Sequence, residues 1–170
     1  MVNWTQIVLF VSEEDIFMAL VGEKAPDFSL EGSDGVRHSL ERYVGKTVVI
    51  YFYPKDNTPG CTKEACGFRD HHSELTDRGV VVLGVSKDSI ASHGKFTANY
   101  TLPFVLLSDP DCSMMQAYEA FGEKIACGRK TTGTIRSTVV IGPDGMVKKQ
   151  WAKVAKAEQH PDQVLDYLRG

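Results

Sequence analysis

The chain carries no basic block, no low-complexity tract and no internal repeat, which excludes solenoid arrays and nucleic-acid binders built on Lys/Arg clusters. Its longest apolar stretches, near Ile7 and Val48, are far too short to span a bilayer. Cysteine is sparse. Four in 170 residues, without the dense regular spacing of a small disulfide scaffold, fit a reducing compartment and point to the cytoplasm. A formal net charge of −3 argues against nucleic acid or an anionic membrane as a main partner. What is present is 42% hydrophobic residues in 170, enough chain for one domain with a sizeable core.

The first seventeen residues stand apart. No Lys or Arg precedes Ile7-Val-Leu-Phe-Val11 and no small-residue cleavage site follows, so Met1 to Phe17 makes a poor signal peptide. Glu13-Glu-Asp-Ile-Phe17 precedes a second methionine, and codons for Glu-Glu-Asp can spell a purine-rich ribosome-binding sequence. Residues 1–17 are therefore expected to be upstream sequence and 18–170 the domain. A genuine extension would instead be read, from its amphipathic character, as a docking helix or strand.

Cys61 and Cys66 are the most informative pair. On one helix, five residues at ~100° and ~1.5 Å each set the two side chains ~140° apart and ~7.5 Å along the axis. A disulfide tolerates at most about 7 Å between Cα atoms, with converging Cβ vectors. The bond could form only after local unwinding, which suits a redox cycle better than a staple. Upstream, Val48 to Tyr53 reads as a buried parallel strand, broken by Pro54, Asn57, Pro59 and Gly60. Thr58 as N-cap and Pro59 at the first helical position place Cys61 in the first turn. There, unsatisfied N–H groups and the positive end of the helix dipole stabilise a thiolate. Cys61, Ala65, Phe68, His72 and Leu75 share the face that packs on the sheet, and Gly79 is the expected C′ residue. Gly67 allows two readings, a weak point that helps the helix open or a close packing contact.

The remaining pattern alternates strands and helices, an α/β layout with a central sheet sandwiched by helices. Asp27 to Leu30 and Val36 to Ser39 flank Gly32-Ser-Asp-Gly35 as an N-terminal β-hairpin. Val80 to Val85 and Phe104 to Leu107 read as strands, Ser89 to Tyr100 and Cys112 to Phe121 as helices. Val139 to Ile141 and Val147 to Trp151 form a second hairpin, and Pro161 to Leu168 a closing helix.

Pro54-Lys-Asp-Asn-Thr58-Pro-Gly-Cys61 resembles the Pro-x-x-x-Thr-x-x-Cys signature of the peroxiredoxins, and a second cysteine five residues on resembles the peroxiredoxin Q, or bacterioferritin comigratory protein, subgroup. Gly22 to Phe28, Gly84 to Ser89, Leu107 to Asp111 and Arg136 to Ile141 extend the similarity over most of the chain. The resemblance implies a thioredoxin-like fold and a thiol peroxidase acting on hydrogen peroxide and organic hydroperoxides. It implies Cys61 as the peroxidatic nucleophile, oxidised to a sulfenic acid, with Thr58, the Cys61 N–H and Arg136 as donors and Pro54 as a shield. Arg suits that role because its planar fork stays charged. Cys66 would resolve the sulfenic acid as a Cys61–Cys66 disulfide, recycled by thioredoxin or a similar dithiol, in a monomer needing no cofactor or metal. Cys112, expected to follow Asp111 as an N-cap, and Cys127, in a loop-like stretch, are read as thiols without a catalytic role.

Two other functions compete. A thiol–disulfide oxidoreductase would share the fold, but its Cys-x-x-Cys spacing is absent here. A metal module could draw on Cys61, Cys66, His71 and His72, although adjacent histidines diverge on a helix. The plainer reading makes one histidine partly buried and the other solvated.

Overall fold

The computed structural model describes residues 19–170, so the expectation about Met1 to Phe17 falls outside the described residues. Along these residues run β1 (Ser29–Gly32), β2 (Arg37–Ser39), β3 (Thr47–Phe52), α1 (Pro59–Asp77), β4 (Val80–Ser86), α2 (Ile90–Tyr100), β5 (Val105–Ser108), α3 (Ser113–Ala117), β6 (Phe121–Ala126), β7 (Arg129–Thr134), β8 (Ser137–Ile141), β9 (Val147–Trp151) and α4 (His160–Arg169). Seven strands form one sheet in the order β2-β1-β5-β4-β3-β8-β9. Its centre, β5-β4-β3, is parallel and its flanks are antiparallel.

The β-branched and aromatic run of β3 is buried on both faces, as a central strand requires. Val48, Ile50 and Phe52 enter one core; Val49, Tyr51 and then Tyr53 enter the other. The second core is covered by Ala65, Phe68 and Leu75 of α1, Phe96 of α2, and Val164 and Leu165 of α4. Over the first lie Met114 and Met115 of α3, Tyr118, and the N-terminal Ala25, Phe28 and Leu40. The sheet is thus sandwiched, with three of the helices on one side.

The expected β-hairpin near the N-terminus is present, with Ser29 opposite Ser39 and Glu31 opposite Arg37. Strand limits move by one or two residues: Asp27 to Leu30 becomes Ser29–Gly32, and Phe104 to Leu107 becomes Val105–Ser108. The helix expected from Cys112 to Phe121 is a correction, since only Ser113–Ala117 is α-helical. Tyr118 donates its hydroxyl to the Pro26 carbonyl at 2.6 Å and Glu119 takes φ 59°, so tertiary anchoring turns the chain out of the helix. Phe121–Ala126 then pairs with Arg129–Thr134 as a separate two-stranded ribbon. Cys127 and Gly128, at φ 51° and 74°, make its tight turn, which needs left-handed backbone at both central residues.

Candidate active site

Strand β3 ends at the middle of the sheet, and the Pro54–Thr58 loop carries the chain directly into α1. Thr58 is the N-cap, with φ −81° and ψ 154°, and Pro59 is the first helical residue, as expected. The first intrahelical bond runs from the Thr62 N–H to the Thr58 carbonyl at 2.9 Å. The Thr58 hydroxyl makes no cap bond and donates to the Lys55 carbonyl at 2.9 Å. The N–H groups of the first turn are therefore left uncapped around Cys61.

Arg136 comes to the same place from the junction of β7 and β8, one residue before the strand that pairs with β3. Its Nη2 donates to Cys61 Sγ at 3.2 Å, and its Nη1 forms an ion pair with Glu64. A neighbouring guanidinium stabilises charge on sulfur. Cys61 is 1% exposed. At the neighbouring Gly60 a Cβ would lie 3.4 Å from Arg136 Nη2 and 3.9 Å from Ala157 Cβ, in ordinary van der Waals contact.

Glu64 is the functional residue that sequence reasoning missed. Its signal was a carboxylate three residues after Cys61, on the same helical face. It is wholly buried, and burial pushes its carboxyl up to about 7 against the pull of Arg136. Glu64 Oε1 and the Tyr51 hydroxyl are both buried without a hydrogen-bond partner. Burial, with Glu64 and Cys61 nearby, raises the Tyr51 pKa well above its ordinary value, keeping it a neutral phenol. Its ring stacks between Phe68 at 4.8 Å and Tyr53 at 5.4 Å.

Behind Arg136, His160 of α4 meets Thr138 Oγ1 through Nε2 at 2.8 Å and is pushed down to about 4, chiefly by burial. Cys66 lies half-buried on the unbroken helix α1, and both thiols are free. Pro54 is half-buried at the head of the loop.

The AhpC/TSA family pattern matches residues 21–150. The Coxiella burnetii protein that carries the name peroxiredoxin bcp is 48% identical over 148 residues, 87% of this chain and 97% of its own length. Peroxiredoxin Bcp of Bacillus subtilis is 43% identical over 149 residues, 88% of this chain and 94% of its own. This chain belongs to the AhpC/TSA family, as a peroxiredoxin of the Q or Bcp type. Among solved structures, the Xanthomonas campestris bacterioferritin comigratory protein, studied for alkyl peroxide reduction, superposes with a TM-score of 0.79 at 39% identity, covering 84% of this chain and 90% of the other. The thioredoxin-like fold and the thiol-peroxidase class expected from the signature are borne out.

Within this peroxiredoxin, Cys112 does not follow Asp111 as N-cap but is itself the N-cap, at φ 59°. Burial and the Asp109 and Asp111 carboxylates push its thiol up, opposing thiolate formation. Cys127 is exposed at the ribbon tip. His71 pairs with Asp162, while His72 lies against the Phe104 ring and is lowered by burial. Both are half-buried, so the partly buried histidine is as expected and the solvated one is not. Among the described residues, no group of three or more His, Cys, Asp or Glu side chains could hold a metal ion, and no helix is long and apolar enough to cross a membrane.

Proposed function

We propose that Cys61 reduces hydrogen peroxide and organic hydroperoxides and that Cys66 resolves the product. The observation that carries this reading is the 3.2 Å contact from Arg136 Nη2 to Cys61 Sγ at the uncapped start of α1. The thiolate forms a bond to one peroxide oxygen as the O–O bond breaks. Water or an alcohol leaves, and a Cys61 sulfenic acid remains. Charge developing on the oxygens meets the Arg136 guanidinium and the Cys61 N–H, donors already in place. The Thr58 hydroxyl, expected as a donor, instead has its hydrogen on the Lys55 carbonyl, so it offers its oxygen as an acceptor for the peroxide O–H. Pro54 shields the nascent sulfenate.

The Cys66 thiol then attacks the sulfenic sulfur, releasing water and forming the Cys61–Cys66 disulfide. Thioredoxin or a similar dithiol reduces it by exchange, in a cytoplasmic monomer. Because α1 is continuous from Pro59 to Asp77, its first turns must unwind before the sulfurs can bond.

Thioredoxin-driven peroxide consumption tests the reading: it is expected in the wild type and absent in Cys61→Ser. Mass spectrometry after one equivalent of peroxide should find Cys61 linked to Cys66. A dominant link to Cys112 or Cys127 would overturn the assignment of the resolving thiol. Cys66→Ser should complete the first turnover and then stall.

A further inference from the structure

The loop that delivers Cys61 is held from its far side by a buried carboxylate with no part in the chemistry above. Asp56 is 5% exposed, and His93, on α2, is fully buried. Asp56 Oδ1 accepts from the Tyr53 hydroxyl at 2.6 Å. Oδ2 accepts from Ser92 Oγ at 2.8 Å and lies 2.8 Å from His93 Nδ1. The other ring nitrogen of His93, Nε2, donates to the Leu107 carbonyl of β5 at 3.0 Å. A ring nitrogen and a carboxylate oxygen this close, away from water, hold a proton between them, since two lone pairs would repel. Burial raises the Tyr53 pKa well above its ordinary value, so that side chain stays a hydroxyl donor. The Asp56 backbone is fixed as well, its N–H donating to Asp88 Oδ2 at 2.9 Å.

This is a costly way to fill a core. Removing a carboxylate and an imidazole from water is unfavourable, and apolar side chains of the same volume would cost less. What the polar set supplies is a single geometry. Next to Asp56, Asn57 has φ 60°, the left-handed state that asparagine adopts more readily than most residues and that turns the chain toward α1. One residue further on is Thr58, the N-cap of α1.

We propose that the Asp56–His93 pair is a positioning device for the peroxidase reaction. It ties the Pro54–Thr58 loop to α2 and β5, and so fixes the Thr58 hydroxyl and the first-turn N–H groups relative to the attacking sulfur. Neither residue touches the peroxide. The proposal rests on the peroxidase reading above, and misplacement of about 1 Å by such a remote change costs about a hundredfold in rate.

The test compares two rates in reduced protein, at a pH high enough to ionise the sulfur whatever surrounds it: attack on hydrogen peroxide, and alkylation of Cys61 by iodoacetamide, which needs the thiolate but not the donors that meet the peroxide oxygens. Asp56→Asn and His93→Leu should each slow the peroxide step by about tenfold to a hundredfold while alkylation changes by less than about twofold. The double variant should be no slower than the worse single, because the pair acts as one unit. Ser92→Ala, which removes one donor and leaves the pair, should show a smaller loss of the same kind even if a core variant misfolds. Unslowed peroxide attack in these variants, or equal loss of both rates together with a lowered Tm, would overturn the positioning role. A wild type that consumes no peroxide would bring down the peroxidase reading and this proposal with it.

Discussion

Arg136 serves two partners at once, and that sharing sets the electrostatics of the site. Its guanidinium divides between the Cys61 sulfur and the Glu64 carboxylate, with the latter wholly buried. Arg136→Ala removes a fixed donor and should slow the first peroxide step by about 10²–10³-fold; an undiminished stopped-flow rate would take Arg136 out of the site. Glu64 takes up a proton at about 7, at which point the guanidinium belongs to Cys61 alone. The peroxide rate should therefore show an inflection near that pH, and Glu64→Gln should lack it. Arg136 was legible because the signature's family supplies an arginine at the head of a β-branched strand. Glu64 was not, since a carboxylate on an apolar helical stripe reads as solvated until its burial is seen.

At the level of elements, α1 carries both thiols and, for the proposed disulfide to form, must be stable and divisible at once. The two readings of Gly67 are separated by the structure: a Cβ there would lie 2.7 Å from Pro161 Cγ and 3.0 Å from Pro161 Cβ, so Gly67 is a packing contact with α4. Beyond it, His71 pairs with Asp162 and Glu74 with Arg169, clamping the later turns to α4. On the reading proposed above, the unwinding that joins the thiols falls in the turns before Gly67, which hold Cys61 and Cys66. Alanine in a helix ordinarily gains about 1 kcal/mol over glycine. Gly67→Ala should instead lose about 1–3 kcal/mol through overpacking. Gly94, inside α2 with nothing within 4 Å of its would-be Cβ, should gain up to about 1 kcal/mol as alanine. Urea unfolding of the two variants checks both signs, and a Gly67→Ala protein as stable as Gly94→Ala would refute the contact.

For the whole molecule, two buried groups tilt stability in opposite directions with pH. Burial raises Glu64 from 4.5 to about 7, so between those values the folded protein keeps a proton that the unfolded chain has released. Its contribution is complete below pH 4.5 and is lost as the pH rises to 7. His160 falls from 6.5 to about 4, so its contribution is complete above pH 6.5 and is lost as the pH falls toward 4. Each slope is bounded by about 1.4 kcal/mol per pH unit, and the two oppose each other where they overlap. Relative to wild type, Glu64→Gln should lose stability between pH 7 and pH 5, and His160→Gln should lose it between pH 5 and pH 7. Denaturant midpoints at the two pH values decide this, and variants parallel to wild type would refute the compensation.

Local pattern alone determined the parts of this protein whose causes are local. The β-branched run of β3 had to be a central strand; Thr58 and Pro59 had to start a helix; the four residues between Cys61 and Cys66 forbid a bond on an intact helix. The tertiary structure decided whatever depends on residues distant in the chain. Tyr118, held by Pro26, ends α3 early, and a polar ribbon from Phe121 to Thr134 forms where no apolar periodicity announced it. Arg136, seventy-five residues after Cys61, meets the sulfur only because β8 pairs with β3. A sequence reports the chemistry each side chain can do. Desolvation and juxtaposition, which decide what Glu64, His160 and the Asp56–His93 pair are, come into existence only when the chain closes on itself.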